Sequence, residues 1–312
     1  MGPDRQTVAG SPDARRTGHD TRAEHSPGIN TQPGRQEAGV TYETVLTERR
    51  GETGGILWVT LNRPEKLNAL NMTLFAELRE VFQEARRDRS VRCVVITGAG
   101  RGFCAGADFS GSRPDGLLYP AQETDTDLEG ARLFFRNESE TYIALKRLDV
   151  PVIASVNGVC VGAGLDMVAH CDMAVASTAA RFQVAYVKRG LFADLGGFYS
   201  LPRVIGWRKA MEMMMTGRFM AAEEAHEAGL TNYLVAPEDL EAKTMELALA
   251  VEAGPPLGQK LGKTLAYRTQ NMDFESALEF SGIALNSTAT SEDRREGVRS
   301  FMEKREPKFT GR

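Results

Sequence analysis

The sequence predicts an α/β core followed by a region of helices alone. Three observations carry that expectation. Apolar strand-like runs alternate with helical periodicity between about residues 40 and 200. Two of those runs empty into loops rich in glycine and alanine, and beyond residue 200 the reading is mostly helical.

Composition narrows the partners. The 312 residues are 42% hydrophobic and 26% charged, as in ordinary soluble globular chains. A net charge of −4 supplies no electrostatic reason to expect nucleic acid or a membrane surface as the main partner. The longest apolar runs fall short of the ~20 residues a membrane span needs. The four cysteines, at 93, 104, 160 and 171, form no CxxC pair, and three lie inside apolar runs. They read as small buried thiols in a reducing compartment, the cytoplasm, rather than as a zinc or disulfide framework. His19 and His25 fall in the N-terminal segment, His226 in a charged helix, and His170 in an apolar stretch that suits a satisfied core histidine. No metal site is expected.

Residues 1–38 hold almost no large apolar side chain, and such a segment cannot offset its ordering entropy by burial. A disordered tail is expected there. It has no apolar centre for a secretion signal, and Asp4, Asp13, Asp20 and Glu24 argue against a transit peptide. Two β-rich runs, 41–48 and 55–61, flank Gly54 and Gly55 as a hairpin. Leu74, Phe75, Leu78, Val81, Phe82 and Ala85 then recur at helical spacing behind Asn71, a capping residue. A buried strand is expected over 92–97 and a loop over 98–108, then a polar insertion and a helix ending near Leu148. Residues 151–156 form another strand and 157–164 a second loop. A short helix over 164–169 and a strand over 172–176 follow. Helices are expected over 207–216, 221–228, 238–253, 257–269, 273–288 and 291–304. The division is a tail (1–38), an α/β core (39–250) and a C-terminal helical region (251–312).

The two loops share one context, a buried strand entering a turn of small residues ahead of a helical segment. Small residues let a ligand approach the backbone, and N–H groups at a helix start face negative charge. Two such donors on one carbonyl oxygen would stabilise an enolate or a tetrahedral oxyanion, each worth ~2.7–4 kcal/mol in the transition state. Other glycine motifs fail on inspection. A dinucleotide fingerprint needs glycine at its sixth position, where Met167 follows Gly162 and Gly164, and Phe103 follows Gly98 and Gly100. Neither loop carries the Gly-Lys-Ser/Thr of a triphosphate-binding loop.

Residues 103–109 (FCAGADF) and 157–172 (NGVCVGAGLDMVAHCD) resemble the two oxyanion motifs of the enoyl-CoA hydratase/isomerase (crotonase) superfamily. The stretch 62–78, the run 215–228 (MTGRFMAAEEAHEA) leading into Gly229 and Leu230, and residues 296–309 resemble further segments of that family in the same order. The match spans about residues 40–312. It implies a spiral of ββα units, a C-terminal helical region that drives formation of a homotrimer, or of a hexamer made of two trimers, and an acyl-CoA thioester as substrate. Coenzyme A enters as part of that substrate, with no separate cofactor. By position, Ala107 and Ala163 would supply the two N–H donors. CoA would lie along Leu67, Ala105, Asp108, Phe109 and Ser110, with Lys304 near its nucleotide.

The chain departs from the hydratase pattern at both carboxylates. The first glutamate is matched by Asp166 and the second by Tyr186, so the pair that water addition needs is incomplete. Asp194, in the run 190–197, stands where dienoyl-CoA isomerases and other relatives carry a functional aspartate. The reading is an enoyl-CoA hydratase/isomerase-type enzyme in which Asp166 and Asp194 move protons and Tyr186 donates a hydrogen bond or shapes the pocket. A dienoyl-CoA isomerase-like enzyme and a ring-opening hydrolase on a CoA ester are the alternatives within that class. A non-catalytic acyl-CoA-binding protein is the alternative from another.

Overall fold

The computed structural model describes the backbone of residues 41–111 and 128–312 and the side chains of residues 41–110 and 135–312. The expected tail and most of the polar insertion lie outside the described residues.

Strands β1 (Val45–Arg50) and β2 (Ile56–Leu61) form the expected hairpin, with Arg50 opposite Ile56. A distant carboxylate closes its turn. Glu252 accepts from the N–H groups of Glu52 (3.0 Å) and Gly55 (2.8 Å) and from the Thr53 hydroxyl (2.7 Å). Helix α1 (Met72–Arg87) begins at Asn71, whose side chain accepts from the Leu74 N–H at 2.9 Å. All six of its periodic apolar residues are buried.

The next 110 or so residues repeat one plan three times, a longer strand, a three-residue strand and a helix. The first unit is β3 (Cys93–Gly98), β4 (Gly102–Cys104) and α2 (Leu128–Lys146). The second is β5 (Val152–Val156), β6 (Val159–Val161) and α3 (Ala163–His170). The third is β7 (Met173–Ser177), β8 (Arg181–Gln183) and α4 (Gly197–Ile205). Helix α5 (Trp207–Thr216), strand β9 (Phe219–Ala221), helix α6 (Ala222–Glu227) and strand β10 (Tyr233–Val235) follow. Helices α7 (Leu240–Glu252), α8 (Pro256–Arg268), α9 (Phe274–Thr288) and α10 (Glu292–Glu303) complete the chain.

The longer strands build a six-stranded sheet, β1-β2-β3-β5-β7-β10, parallel from β2 onward. The short ones build a second sheet, β4-β6-β8-β9. Alternate side chains of the large sheet enter different clusters. Leu57, Val59, Val94 and Ile96 join the α1 stripe, whereas Ile56, Trp58, Cys93 and Val95 pack with Leu240 and Ala248 of α7. Burial on both faces explains why these strands read as continuous apolar runs instead of alternating ones.

Two parts of the architecture differ from the sequence expectation. The segments read as loops contain β4 and β6, and β8, β9 and β10 were not expected. Three-residue strands are too short to show a period. Helix α4 was also missed. It starts at Gly197 behind Gly196 and contains Pro202, all signals that ordinarily interrupt a helix.

Candidate active site

Strands β4 and β6 pair in parallel with Cys104 beside Cys160. Ala107 lies three residues beyond the first and Ala163 three beyond the second, so one register delivers both loops to one place. The contact is close, since a Cβ added to Gly106 would stand 2.9 Å from the Val161 carbonyl oxygen and 3.7 Å from the Ala163 nitrogen. Gly106 also has a φ of +91°, a backbone that side chains rarely adopt. Asn157 ties the loop bases together, its amide donating to the carbonyls of Gly98 (2.9 Å) and Gly100 (2.8 Å).

Both candidate donors are left unused by the fold. Leu70 grips the first loop on each side of Ala107: its N–H donates to the Gly106 carbonyl (2.8 Å), and its carbonyl accepts from the Asp108 N–H (2.9 Å). Ala163 opens α3, where a helix has no internal acceptor for its first N–H groups. Among the described residues, neither N–H has a partner. The hydroxyl of Tyr142 on α2 donates to the Ala163 carbonyl at 2.7 Å and so anchors the second donor's residue.

Arg63 and Asp108 brace the first loop through a largely buried ion pair at 2.7 Å. The Asp108 carboxylate also accepts from the Ser110 N–H (2.9 Å) and hydroxyl (2.6 Å). Burial works to raise its pKa, but these partners outweigh it and hold the carboxyl down at about 2. The Asp108 and Ser110 side chains are therefore committed to the loop itself. Leu67 lies beneath it, its carbonyl accepting from the Ala105 N–H at 3.0 Å, and Phe109 is partly exposed with Arg189 near its ring. Leu67, Ala105, Asp108, Phe109 and Ser110 thus form one contiguous patch. Lys304 caps α10 with a φ of +53°, and among the described residues no hydrogen bond links it to that patch.

Asp166 lies in the first turn of α3 and is 2% exposed. Tyr186 donates to its Oδ2 at 2.6 Å. Burial pushes the Asp166 carboxyl up to about 7, with the Tyr186 bond opposing and the charge of Asp194 assisting. Burial and the neighbouring Asp166 carboxylate push the Tyr186 hydroxyl well above its usual range, so it remains a donor. Gly197 lies against Asp166 so closely that an added Cβ would overlap the carboxylate.

Asp194 is half-buried in the loop ahead of α4, and burial raises its carboxyl pKa. His170 holds that loop from the end of α3. Its Nε2 lies 2.9 Å from the Leu195 carbonyl oxygen and its Nδ1 2.8 Å from the Ser200 hydroxyl. A carbonyl only accepts, so Nε2 carries the proton and Nδ1 accepts from Ser200. Burial holds the imidazole pKa down to about 4, which keeps the ring neutral. The expected satisfied core histidine is thus also the strut beside Asp194.

The structure adds Glu138, which sequence reasoning missed. It is 7% exposed on α2, and burial together with the charge of Asp194 pushes its carboxyl up to about 8. The signal was available: Glu138, Thr141, Tyr142 and Leu145 follow i, i+3, i+4, i+7 spacing, which places a glutamate on the helix's buried stripe. Among the described residues, no group of three His, Cys, Asp or Glu side chains is arranged to hold a metal, and no helix is long and apolar enough to cross a membrane.

Three ββα units, a helical C-terminal region and two small-residue loops meeting at unused N–H groups define a crotonase-fold protein. The crystal structure of a Mycobacterium smegmatis enoyl-CoA hydratase matches it with a TM-score of 0.77 at 36% identity, over 86% of this chain and 99% of that one. The family model described as enoyl-CoA hydratase/isomerase matches residues 51–312. The chain belongs to the enoyl-CoA hydratase/isomerase family and is an acyl-CoA-processing enzyme of that type. It is 36% identical to the 1,2-epoxyphenylacetyl-CoA isomerase of Escherichia coli K12, over 83% of this chain and 96% of the relative. It is 34% identical to the (E)-benzylidenesuccinyl-CoA hydratase of Thauera aromatica, over 82% and 96% respectively.

Proposed function

We propose that the protein moves protons on an unsaturated acyl-CoA whose thioester carbonyl is held by the N–H groups of Ala107 and Ala163. The shared three-residue offset from Cys104 and Cys160 carries this reading, because it joins both donors and starts the helix bearing Asp166 at the same point. Asp166, with a pKa near 7, suits a group that takes and returns protons near neutrality. In the isomerisation we favour, one aspartate removes a proton from an acyl carbon. The C–H electron pair moves toward the carbonyl, and the oxygen carries the enolate charge between the two N–H groups. The other aspartate delivers a proton to a different carbon, and the double bond shifts. Tyr186 keeps its own proton and steadies Asp166. The two relatives, an isomerase and a hydratase by name, both act on CoA thioesters.

CoA extends over Leu67 and the 105–110 loop in this reading. Phe274, Ile283 and Phe301 of the last helices, 81%, 68% and 82% exposed in the single chain, support a homotrimer or a hexamer built on that face. Light scattering on the purified protein measures the assembly. Four buried, unpaired cysteines support a reducing compartment such as the cytoplasm.

Turnover in deuterated water with 2-enoyl-, 3-enoyl- and dienoyl-CoA esters, followed by mass spectrometry, tests the chemistry. Deuterium uptake that disappears in Asp166→Asn or Asp194→Asn supports proton transfer by the two aspartates. A mass gain of one water identifies hydration instead, and binding without exchange or product refutes turnover.

A further inference from the structure

The two oxyanion donors are held in different ways. Leu70 grips the first loop by backbone bonds on both sides of Ala107. On the upstream side of Ala163 the backbone again does the holding: the Gly162 N–H donates to the Gln183 carbonyl at 2.9 Å, and the Gly162 carbonyl accepts from the Asp166 N–H at 3.0 Å. On the downstream side the grip comes from a side chain, the Tyr142 hydroxyl on the Ala163 carbonyl at 2.7 Å. Ala163 has only a methyl group and supplies no side-chain anchor of its own. The Tyr142 ring is seated separately: it is buried, tilted against Phe75 with 6.4 Å between centroids and edge-on to His170 at 5.7 Å. A phenylalanine would serve that packing. Among the described residues, the hydroxyl's one hydrogen bond is to Ala163.

The bond also crosses between structural units. Helix α2 closes the unit whose loop carries Ala107, whereas Ala163 belongs to the next unit. Tyr142 therefore fixes the second donor against the unit that bears the first. An oxyanion donor works by pointing at the place where charge develops, so a small misplacement costs rate more than it costs binding. We propose that Tyr142 is a positioning residue for the second oxyanion donor: its hydroxyl, through the Ala163 carbonyl, keeps the Ala163 N–H aimed at the thioester oxygen. Removing the hydroxyl then weakens carbonyl polarisation, and with it the rate, while the CoA ester still binds. The carbonyl has two lone pairs and can serve both Tyr142 and the first turn of α3. Burial, followed by the charge of Asp166, pushes the Tyr142 hydroxyl well above its usual pKa, so it remains a donor. This inference rests on the acyl-CoA site proposed above and names a residue that sets its catalytic strength.

The test is isotope-edited infrared difference spectroscopy of hexanoyl-CoA, labelled at the thioester carbonyl and bound to the full-length enzyme. Kinetics on an enoyl-CoA ester that turns over are measured beside it. Hydrogen bonds from the two donors lower the carbonyl stretching frequency relative to the free ester. In Tyr142→Phe that lowering is expected to shrink by roughly half and kcat to fall about tenfold or more, with hexanoyl-CoA affinity within about threefold of wild type. Thr141→Val is the comparison, since it removes a neighbouring buried bond, the 2.9 Å one from the Thr141 hydroxyl to the Phe75 carbonyl. It is expected to lower the melting temperature and leave both the carbonyl frequency and kcat in place. A carbonyl frequency unmoved in Tyr142→Phe overturns the inference whatever the rate does, and so does an unchanged kcat. Affinity lost in parallel with rate, or the same frequency change in Thr141→Val, overturns it too, because the hydroxyl then supports packing alone. If the wild type binds hexanoyl-CoA without lowering the carbonyl frequency, the two-donor site is wrong. If it binds no CoA ester, the acyl-CoA site itself is wrong, and in either case this inference falls with it.

Discussion

The hydroxyl of Tyr186 donates a 2.6 Å hydrogen bond to Oδ2 of Asp166, joining the start of α3 to the short helical turn Tyr186–Arg189. The bond favours the charged form of Asp166 against a burial effect that favours the neutral one. Tyr186→Phe removes it, so the Asp166 pKa rises further. If Asp166 is the base, the acidic limb of the rate profile moves to higher pH and activity at pH 7 falls by roughly tenfold. A pH profile of kcat/KM checks the direction, and an unmoved limb rules Asp166 out as the titrating group.

Gly197 tests the same carboxylate from its other side. An added Cβ would overlap Asp166, whose buried surroundings leave it little room to retreat. Gly197→Ala is expected to cost about 1–3 kcal/mol of stability and to reduce activity at least about tenfold. Wild-type turnover and melting temperature in that variant contradict the placement.

Asp166→Asn preserves shape and removes the titrating group. A proton-transfer group typically contributes 10²–10⁴-fold, so a loss of roughly that size is expected with binding of a saturated acyl-CoA retained. Single-turnover rates and calorimetric affinity separate the two effects.

His170 ties the Asp194 loop to α3 through Leu195 and Ser200. His170→Ala leaves a buried carbonyl and hydroxyl without partners, at about 1–3 kcal/mol each. Activity is expected to drop more than CoA-ester affinity, because Asp194 loses its support while the oxyanion loops keep theirs. Equal losses in both place the histidine in general packing alone.

Stability should depend on pH through two opposing sets of groups. Asp166 and Glu138 have raised pKa values near 7 and 8, so the folded state binds more protons than the unfolded one from about pH 4 upward. Their contribution is full below about pH 4 and is lost as pH rises through 7–8. His170, held down to about 4, acts in reverse: its contribution is present above about pH 6.5 and is lost as pH falls toward 4. Above pH 6.5 only the carboxyl effect remains, and Glu138→Gln is expected to flatten that decline in urea titrations at pH 6.5, 7.5 and 8.5. An unchanged slope shows that Glu138 ionises normally.

The order of elements was legible because local signals agree with the fold. The α1 stripe, the Asn71 cap, the apolar runs of β2, β3 and β5 and the helices from α7 onward are repeated or extended patterns that a one-dimensional reading detects. Ala107 and Ala163 were singled out within two small-residue loops, and Asp166 and Asp194 through the resemblance of their segments to family motifs. Helix α4 escaped because its glycines and proline oppose helix locally, and packing decided the outcome.

Tertiary structure alone decided the rest. The side-by-side register of Cys104 and Cys160, which brings the loops of Ala107 and Ala163 together, depends on three-residue strands that have no period of their own. Tyr186 and Asp166 are 20 residues apart, and Glu138 and Asp194 lie on different elements. The sequence determined which groups are available and in what local conformation. Which of them meet, and which carboxyl is buried against another's charge, depends on long-range packing. Desolvation and charge interaction are properties of that packing, and they set the protonation states on which the chemistry depends.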